Sequence, residues 1–166
     1  MRIKETGKGT SPVTVEQMEA NLRLPSGFDT ALITRLIASA TDYVEKITNV
    51  AVRTRTVSAA YGGGQSIYDL KYLANAVTSV KVDGELYVVD EGYKVYNTAQ
   101  PCYVKFTNRI DQESIVEIEY TVTATTNNEA INEVIIAYAT AMYNQPEGLG
   151  ELDMRRINNR LTSLAQ

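Results

Sequence analysis

Residues 29–57 of the chain read DTALITRLIASATDYVEKITNVAVRTRTV, and the hydrophobic period changes within them. In the first part apolar residues recur every three or four positions, which is the pattern of an amphipathic helix. The apolar positions are Ile33, Leu36, Ile37, Ala40, Tyr43, Val44 and Ile47. From Val50 the period becomes two and β-branched residues dominate, which is typical of a strand. The change predicts a helix from Asp29, as its N-cap, to about Asn49, followed by a β region.

The β region continues to Thr123 and contains two strong local signals. Asp83-Gly84 separates two β-rich runs and predicts a type I′ hairpin, because both central residues of that turn need positive φ. Residues 114–123 alternate between apolar and polar side chains. The apolar face holds Val116, Ile118, Tyr120 and Val122. Consecutive glycines at 62–64 predict a flexible loop. The region reads as a small antiparallel sheet with one face open to solvent.

Helices are predicted on both sides of the β region. Thr14 and Gln17 fit a capping box, in which each side chain satisfies the backbone N–H of the other residue. A later helix is predicted over 128–144, with a second capping box from Thr126 and Glu129. We therefore assign the chain to the α+β class, as a small helical bundle with an inserted antiparallel β region and a C-terminal docking helix.

Composition divides the chain into three parts. Residues 1–12 have only Ile3 as an apolar side chain beyond the initial methionine, which predicts a flexible N-terminal arm. A Gly-Lys-Gly run inside the arm is not a phosphate loop, since Gly9 stands where Ser or Thr must follow the lysine. Residues 13–145 are predicted to form a single α+β domain. Residues 146–166 are predicted to form a hinge and a C-terminal helix.

Composition also excludes several classes of chemistry. The chain has 166 residues, no His, one Cys and a formal net charge of -4. The absence of His excludes Ser–His–Asp and Cys–His catalysis, and a lone Cys excludes an internal disulfide. The negative charge disfavours tight non-specific binding of DNA. No signal peptide and no membrane-spanning segment are predicted, so we expect synthesis inside the cell and no membrane contact.

Carboxylates and the cysteine offer the remaining chemistry. Glu117 and Glu119 lie on one face of a predicted strand, so a carboxylate-based hydrolase is conceivable, although solubilising charges are the simpler interpretation. Cys102 is predicted to be a small buried side chain rather than a nucleophile. Four acidic residues near the hairpin lack the ligand spacing of a calcium loop, which favours surface turns. They are Asp83, Glu85, Asp90 and Glu91. We predict no catalytic residue, no metal and no cofactor.

Tyrosines are concentrated in the β region. They are Tyr61, Tyr68, Tyr72, Tyr87, Tyr93, Tyr96 and Tyr103. Tyrosines can stack the bases of single-stranded nucleic acid, but a matching excess of Lys and Arg is missing here. Because Tyr also suits half-buried strand positions and subunit interfaces, we prefer a core or interface interpretation.

The last helix, at about 151–164, has two sides of different character. Its apolar positions recur at intervals of three and four and are Met154, Ile157, Leu161 and Leu164. Its polar side includes Arg155, Arg156 and Arg160. The helix either folds onto its own core or enters a groove of a partner, with arginines pairing to acidic residues. Periodicity alone leaves both interpretations open.

Several segments, taken in order, resemble one protein family. The first are residues 14–24, TVEQMEANLRL, and 29–45, DTALITRLIASATDYVE. The later ones are 73–84, LANAVTSVKVDG, then 93–95, YKV, and finally 129–144. This ordered set is similar to the head–tail connector (adaptor) proteins of long-tailed bacteriophages. The resemblance covers about residues 13–150, most of the chain.

The resemblance implies a structural function without catalysis. Members of the family form a ring of about twelve copies between the portal protein and a stopper or other tail protein. DNA passes through the lumen without specific binding, which fits an acidic chain. The family's C-terminal segment inserts against the portal, which favours a portal-docking helix here. That helix would use Met154, Arg155, Arg156, Ile157, Arg160, Leu161 and Leu164.

We therefore expect a non-enzymatic adaptor in the neck of a virion, made in the cytoplasm of the bacterial host. One alternative is another neck or tail component, such as a stopper or tail terminator. Those proteins tend to be β-dominated, and two long helices around one small sheet argue against them. The other alternative is the hydrolase that would depend on Glu117 and Glu119.

Overall fold

A computed structural model describes residues 1–98, 101–124, 129–145, 150 and 155–160. Contacts divide the chain into two compact units. One unit, called the β unit below, comprises Met1–Thr10 and Arg53–Ala124. The other, called the helical unit, comprises Ser11–Val52 and Thr125–Gln166. Helices and antiparallel sheets are both present, so the predicted α+β class is confirmed.

The β unit contains two antiparallel sheets. Its strands are β1 (Arg2–Thr6), β2 (Arg55–Gly62), β3 (Ile67–Asp69), β4 (Ala76–Val82), β5 (Glu85–Leu86), β6 (Tyr93–Tyr96), β7 (Tyr103–Phe106) and β8 (Ile115–Val122). The five-stranded sheet has the order β1-β2-β8-β4-β5, and the three-stranded sheet has the order β3-β7-β6. Phe106 is buried with its ring 5.6 Å from that of Tyr68 and 5.7 Å from that of Tyr87. These aromatic rings form part of the core of the unit.

Two local predictions in the β unit are confirmed. Strand β8 buries Val116, Ile118, Tyr120 and Val122, and it exposes Glu117 and Glu119. The β4–β5 turn has φ of 51° at Asp83 and 86° at Gly84, as a type I′ turn requires. The Asp83 carboxylate also accepts a hydrogen bond of 2.8 Å from the Ile115 amide, which lowers the pKa of Asp83.

The N-terminal residues differ from the predicted arm. Strand β1 pairs with β2 along its whole length, from Arg2 opposite Ala60 to Thr6 opposite Thr56. After the strand, the Gly9 amide donates to the Thr54 carbonyl at 2.9 Å. Backbone hydrogen bonds do not require apolar side chains, so an edge strand of polar residues has little signature in composition.

The consecutive glycines, where a flexible loop was predicted, make close backbone contacts with a distant segment of the β unit. The Gly63 amide donates to the Ser114 carbonyl at 2.7 Å, and the Gly64 amide donates to the Ile110 carbonyl at 3.0 Å. A Cβ atom on Gly63 would overlap the carbonyl oxygen of Asp111. Glycine is required at 63 because two backbone segments approach each other closely.

The helical unit is built from α1 (Val15–Leu22), α2 (Thr30–Thr48), α3 (Glu129–Asn144) and a helical segment at 155–160. Apolar faces of all four meet in one cluster. Its buried members are Val13, Met18, Ile33, Ile37, Ala40, Val44, Val52, Ile131, Val134, Ile135, Ala139 and Ile157. The predicted α2 stripe is largely confirmed, although Ile47 is 43% exposed.

The helix caps follow the sequence in part. The first capping box is confirmed, with the Gln17 amide donating to Thr14 Oγ1 at 3.3 Å and the Thr14 amide donating to Gln17 Oε1 at 2.9 Å. Asp29 is the N-cap residue of α2, but its carboxylate does not bond to a helix amide. It accepts a 3.0 Å hydrogen bond from the Tyr143 hydroxyl instead. Thr126 lies outside the described residues.

Candidate docking site

The predicted docking helix is described only over residues 155–160. Arg155, Arg156 and Arg160 are exposed there. Ile157 is only 6% exposed and belongs to the core cluster of the helical unit. The remaining predicted docking residues, Met154, Leu161 and Leu164, lie outside the described residues.

A pair of stacked tyrosines helps to hold the segment on the helical unit. The rings of Tyr43 on α2 and Tyr138 on α3 lie 4.5 Å apart with an angle of 12° between their planes. The Tyr43 hydroxyl donates a 2.8 Å hydrogen bond to Oδ1 of Asn158. Ile157 and Asn158 therefore anchor the segment to its own chain, while the arginines stay at the surface.

A groove runs between α3 and the segment. Val134, Ala137 and Ala141 of α3 line it together with Ile157, and the polar lining is Arg156, Asn159 and Arg160. Its volume is about 400 Å³. An apolar floor beside guanidinium groups is suited to an amphipathic segment with acidic side chains.

Replacing Ile157 by Ala should lower the free energy of unfolding of the helical unit by about 2 kcal/mol or more, because it removes buried apolar volume. Ile47→Ala is the matched control, since Ile47 is 43% exposed in the same unit and should change stability by less than about 0.5 kcal/mol. Thermal unfolding followed by far-ultraviolet circular dichroism measures both. Equal effects would contradict anchoring through Ile157.

The other candidate residues are placed as follows. Glu117 and Glu119 lie on an open sheet face, opposite Ala60 and Ser58 of β2. Cys102 is fully buried, as predicted, and burial raises the pKa of its thiol. Within the described parts of the chain, His, Cys, Asp and Glu side chains form no group of three or more that could hold a metal ion.

Of the seven tyrosines named in the β region, three lie in the core, three are partly exposed and one is exposed. Tyr68, Tyr72 and Tyr93 are buried, whereas Tyr96 is 41% exposed and stacks on Tyr103 with ring centroids 4.7 Å apart. Exposed tyrosine is therefore confined to a small part of the β unit, which is less than a stacking platform for nucleic acid needs.

A polar cluster around Glu5 was missed by sequence reasoning. The Glu5 carboxylate accepts hydrogen bonds of 2.9 Å from Arg55 Nη1 and from Lys71 Nζ, and one of 3.1 Å from the Tyr72 hydroxyl. Burial by itself raises the pKa of Glu5, but the Lys71 hydrogen bond and the charges of Lys71 and Arg55 outweigh it and bring the pKa to about 2. The sequence carried no local signal for this cluster, because Glu5 stands in a polar run and Arg55 and Lys71 are 50 and 66 positions away.

The fold has counterparts among solved structures. A chain in the virion of a native gene transfer agent (GTA) particle matches with a TM-score of 0.72 at 17% sequence identity, over 97% of this chain and 95% of that one. A chain in the neck of an empty GTA particle computed with C6 symmetry matches with a TM-score of 0.72 at 16% sequence identity, over 97% of this chain and 95% of that one. A chain in the neck of a native GTA particle computed with C12 symmetry matches with a TM-score of 0.60 at 13% sequence identity, over 94% of both chains. Our chain shares their fold.

Comparisons with protein-family models and with curated proteins give no match. The shared fold covers both units, because the matches at a TM-score of 0.72 span 97% of the chain. Among the described residues, no helix is both long and apolar enough to cross a membrane.

Proposed function

We propose that the chain is a structural head–tail adaptor of a phage-like particle, located in the virion neck and made in the cytoplasm of a bacterial host. The observation that carries the proposal is the fold match, at a TM-score of 0.72 over 97% of the chain, to chains of GTA particles. The ordered resemblance of residues 13–150 to phage adaptors supports it independently. The proposed activity is assembly, with no catalytic step.

The adaptor is proposed to act as a closed ring of about twelve copies between the portal and a stopper or other neck protein. The C6 and C12 symmetries used for the GTA necks support a ring. The three helices α1, α2 and α3 favour an adaptor over a β-dominated stopper or tail terminator. A net charge of -4 suits a lumen through which DNA slides, since an acidic wall does not retain phosphates.

Portal docking is proposed for the C-terminal segment. Arg155, Arg156 and Arg160 supply exposed positive charge, and the neighbouring groove supplies an apolar floor. An acidic amphipathic segment of the portal would fit both features. Ile157 would contribute indirectly, because its buried side chain fixes the segment on the core of the helical unit. The proposed docking helix is completed by Met154, Leu161 and Leu164.

Reversing the charge of the docking arginines, as R155E/R156E/R160E, should weaken binding to the isolated portal by at least about tenfold, because each contact with an acidic partner becomes repulsive. Binding is measured by surface plasmon resonance with immobilised portal. Ring formation on the portal is followed in parallel by electron microscopy.

The matched control is K46E/K94E/K105E, which changes the net charge by the same amount at three exposed lysines. The control should bind the portal as the wild type does. Wild-type binding by the arginine variant would overturn the docking site and leave the adaptor intact. A wild-type chain that neither binds the portal nor is needed for joining tails to heads would overturn the adaptor function.

A further inference from the structure

The five-stranded sheet of the β unit is open and has two different edges. At one edge, β1 pairs with β2 on one side only, and at the other edge β5 pairs only with β4. Four strand spacings separate these edges, about 19 Å, so they do not meet within one copy. An edge strand presents unpaired backbone N–H and C=O groups, and these form a template for contact with another chain.

The first edge, called the β1 edge below and formed by residues 2–6, is basic. Arg2 and Lys4 are exposed there, and among the described residues no ion pair includes either of them. The acidic residue of the strand, Glu5, is only 15% exposed and is bound in the polar cluster described above. The exposed charge of the β1 edge is therefore positive.

The second edge, called the β5 edge below, is formed by β5 and its flanking turns and is acidic. Its residues, 83–91, read DGELYVVDE and include four acidic side chains and no basic one. Glu85 and Glu91 are exposed, and in the described part of the chain neither takes part in an ion pair. Leu86 and Val88 lie among these charges and are 65% and 54% exposed. Exposed apolar side chains grouped beside charged ones are typical of protein–protein contacts.

We propose that these two edges join copies of the chain, with the β1 edge of one copy against the β5 edge of the next. This inference rests on the proposed ring and names the contact that builds it. The edges lie at opposite sides of one sheet, so the contact uses a different surface on each copy and repeats head to tail, as a cyclic ring requires. Positive charge on one edge then meets negative charge on the other.

A second copy of the chain fits both edges, and other partners fit one at most. A nucleic acid would be attracted to the β1 edge alone, because Glu85 and Glu91 repel its phosphates. Two β1 edges, or two β5 edges, would bring like charges together, which disfavours a two-fold dimer. Pairing of unlike edges is the favoured combination, and it leaves one edge of each kind open for the next copies.

The direction of the contact is tested with cysteines in the full chain, assembled on the isolated portal and treated with a short bis-maleimide crosslinker. K4C/V88C has one reactive thiol on each edge and should give covalent dimers, trimers and longer oligomers, because each copy can be linked to both of its neighbours. K4C and V88C alone should stay monomeric on a denaturing gel. K4C/K105C, with its second thiol on the three-stranded sheet, is the matched control and should also stay monomeric. The native Cys102 is fully buried and is kept in every variant.

The charges are tested by reversing each edge separately and then both together. R2E/K4E and E85K/E91K each bring like charges into contact, so each should form complete rings on the portal at least about tenfold less often than the wild type. The combined variant R2E/K4E/E85K/E91K keeps the wild-type net charge and exchanges the signs of the two edges. It should recover ring formation, counted in electron micrographs.

K94E/K105E, on the three-stranded sheet, changes the net charge as R2E/K4E does and should form rings as the wild type does. Wild-type ring formation by either edge variant, or no recovery by the combined variant, would overturn the edge contact and leave the adaptor function standing. Covalent dimers from a single-cysteine variant, or rings of K4C/V88C that do not crosslink, would overturn it in the same way. A wild-type chain that forms no ring on the portal would overturn the contact and the proposed ring together.

Discussion

Replacing Gly63 by Ala should lower the free energy of unfolding by at least about 3 kcal/mol. The added methyl group would overlap the carbonyl oxygen of Asp111, and the Ser114 carbonyl lies close behind it. Both neighbours are backbone atoms, which cannot relieve the overlap by changing rotamer as a side chain can. The Gly63 amide also donates a 2.7 Å hydrogen bond to the Ser114 carbonyl. A backbone shift that removed the overlap would break this hydrogen bond.

Gly62→Ala provides the comparison for this prediction. A Cβ atom on Gly62 has no neighbour within 4 Å, so the variant should stay within about 0.5 kcal/mol of the wild type. Urea unfolding followed by tyrosine fluorescence measures both variants. If the two variants had equal free energies of unfolding, the close approach of Gly63 and Asp111 would not contribute to stability, and the prediction would be wrong.

Replacing Glu5 by Gln should lower the free energy of unfolding by about 3 kcal/mol at pH 7, because it removes the carboxylate that pairs with the buried guanidinium of Arg55. The Arg55 side chain is 1% exposed and lies 2.9 Å from the Glu5 carboxylate. Lys71 loses its partner at 2.9 Å as well. Strand β1 should then separate from β2, which hydrogen exchange at the β1 amides detects.

The effect of Glu5 should depend on pH in a defined direction. The folded-state pKa of about 2 lies below the ordinary value of 4.5, so the stabilisation is complete above pH 4.5 and is lost as the pH falls towards 2. The difference between the wild type and E5Q should shrink over that interval. E117Q, which alters an exposed carboxylate on the same sheet, should show little effect at any pH. A constant difference for E5Q down to pH 2 would contradict the charged cluster.

Predictions from the sequence succeeded where the relevant contacts are local. The α2 stripe follows from the helical repeat, and the alternation of β8 follows from the pleat. The Asp83-Gly84 turn depends on the φ angles of two adjacent residues. The bonds between Thr14 and Gln17 join neighbours within one turn.

Predictions failed where a residue meets a distant part of the chain. Residues 2–6 were predicted to be part of a flexible arm, because their pairing with β2 uses backbone groups and leaves no pattern in the side chains. The glycine run gave no indication of the close approach at Gly63, because its neighbour Asp111 is far away in the sequence. Ile47 read as buried because it continues the stripe, but it is 43% exposed near the end of α2.

The sequence by itself determined the α+β class, the main helices and strands, and the lack of His-based chemistry, since these depend on composition and on neighbours along the chain. Only the tertiary structure decided which side of residues 155–160 is anchored and which is exposed. It alone also brought β1 beside β2 and so placed Glu5 within hydrogen-bonding distance of Arg55. Both results require chain segments distant in sequence to meet, and the hydrophobic period of a single segment carries no information about its partner.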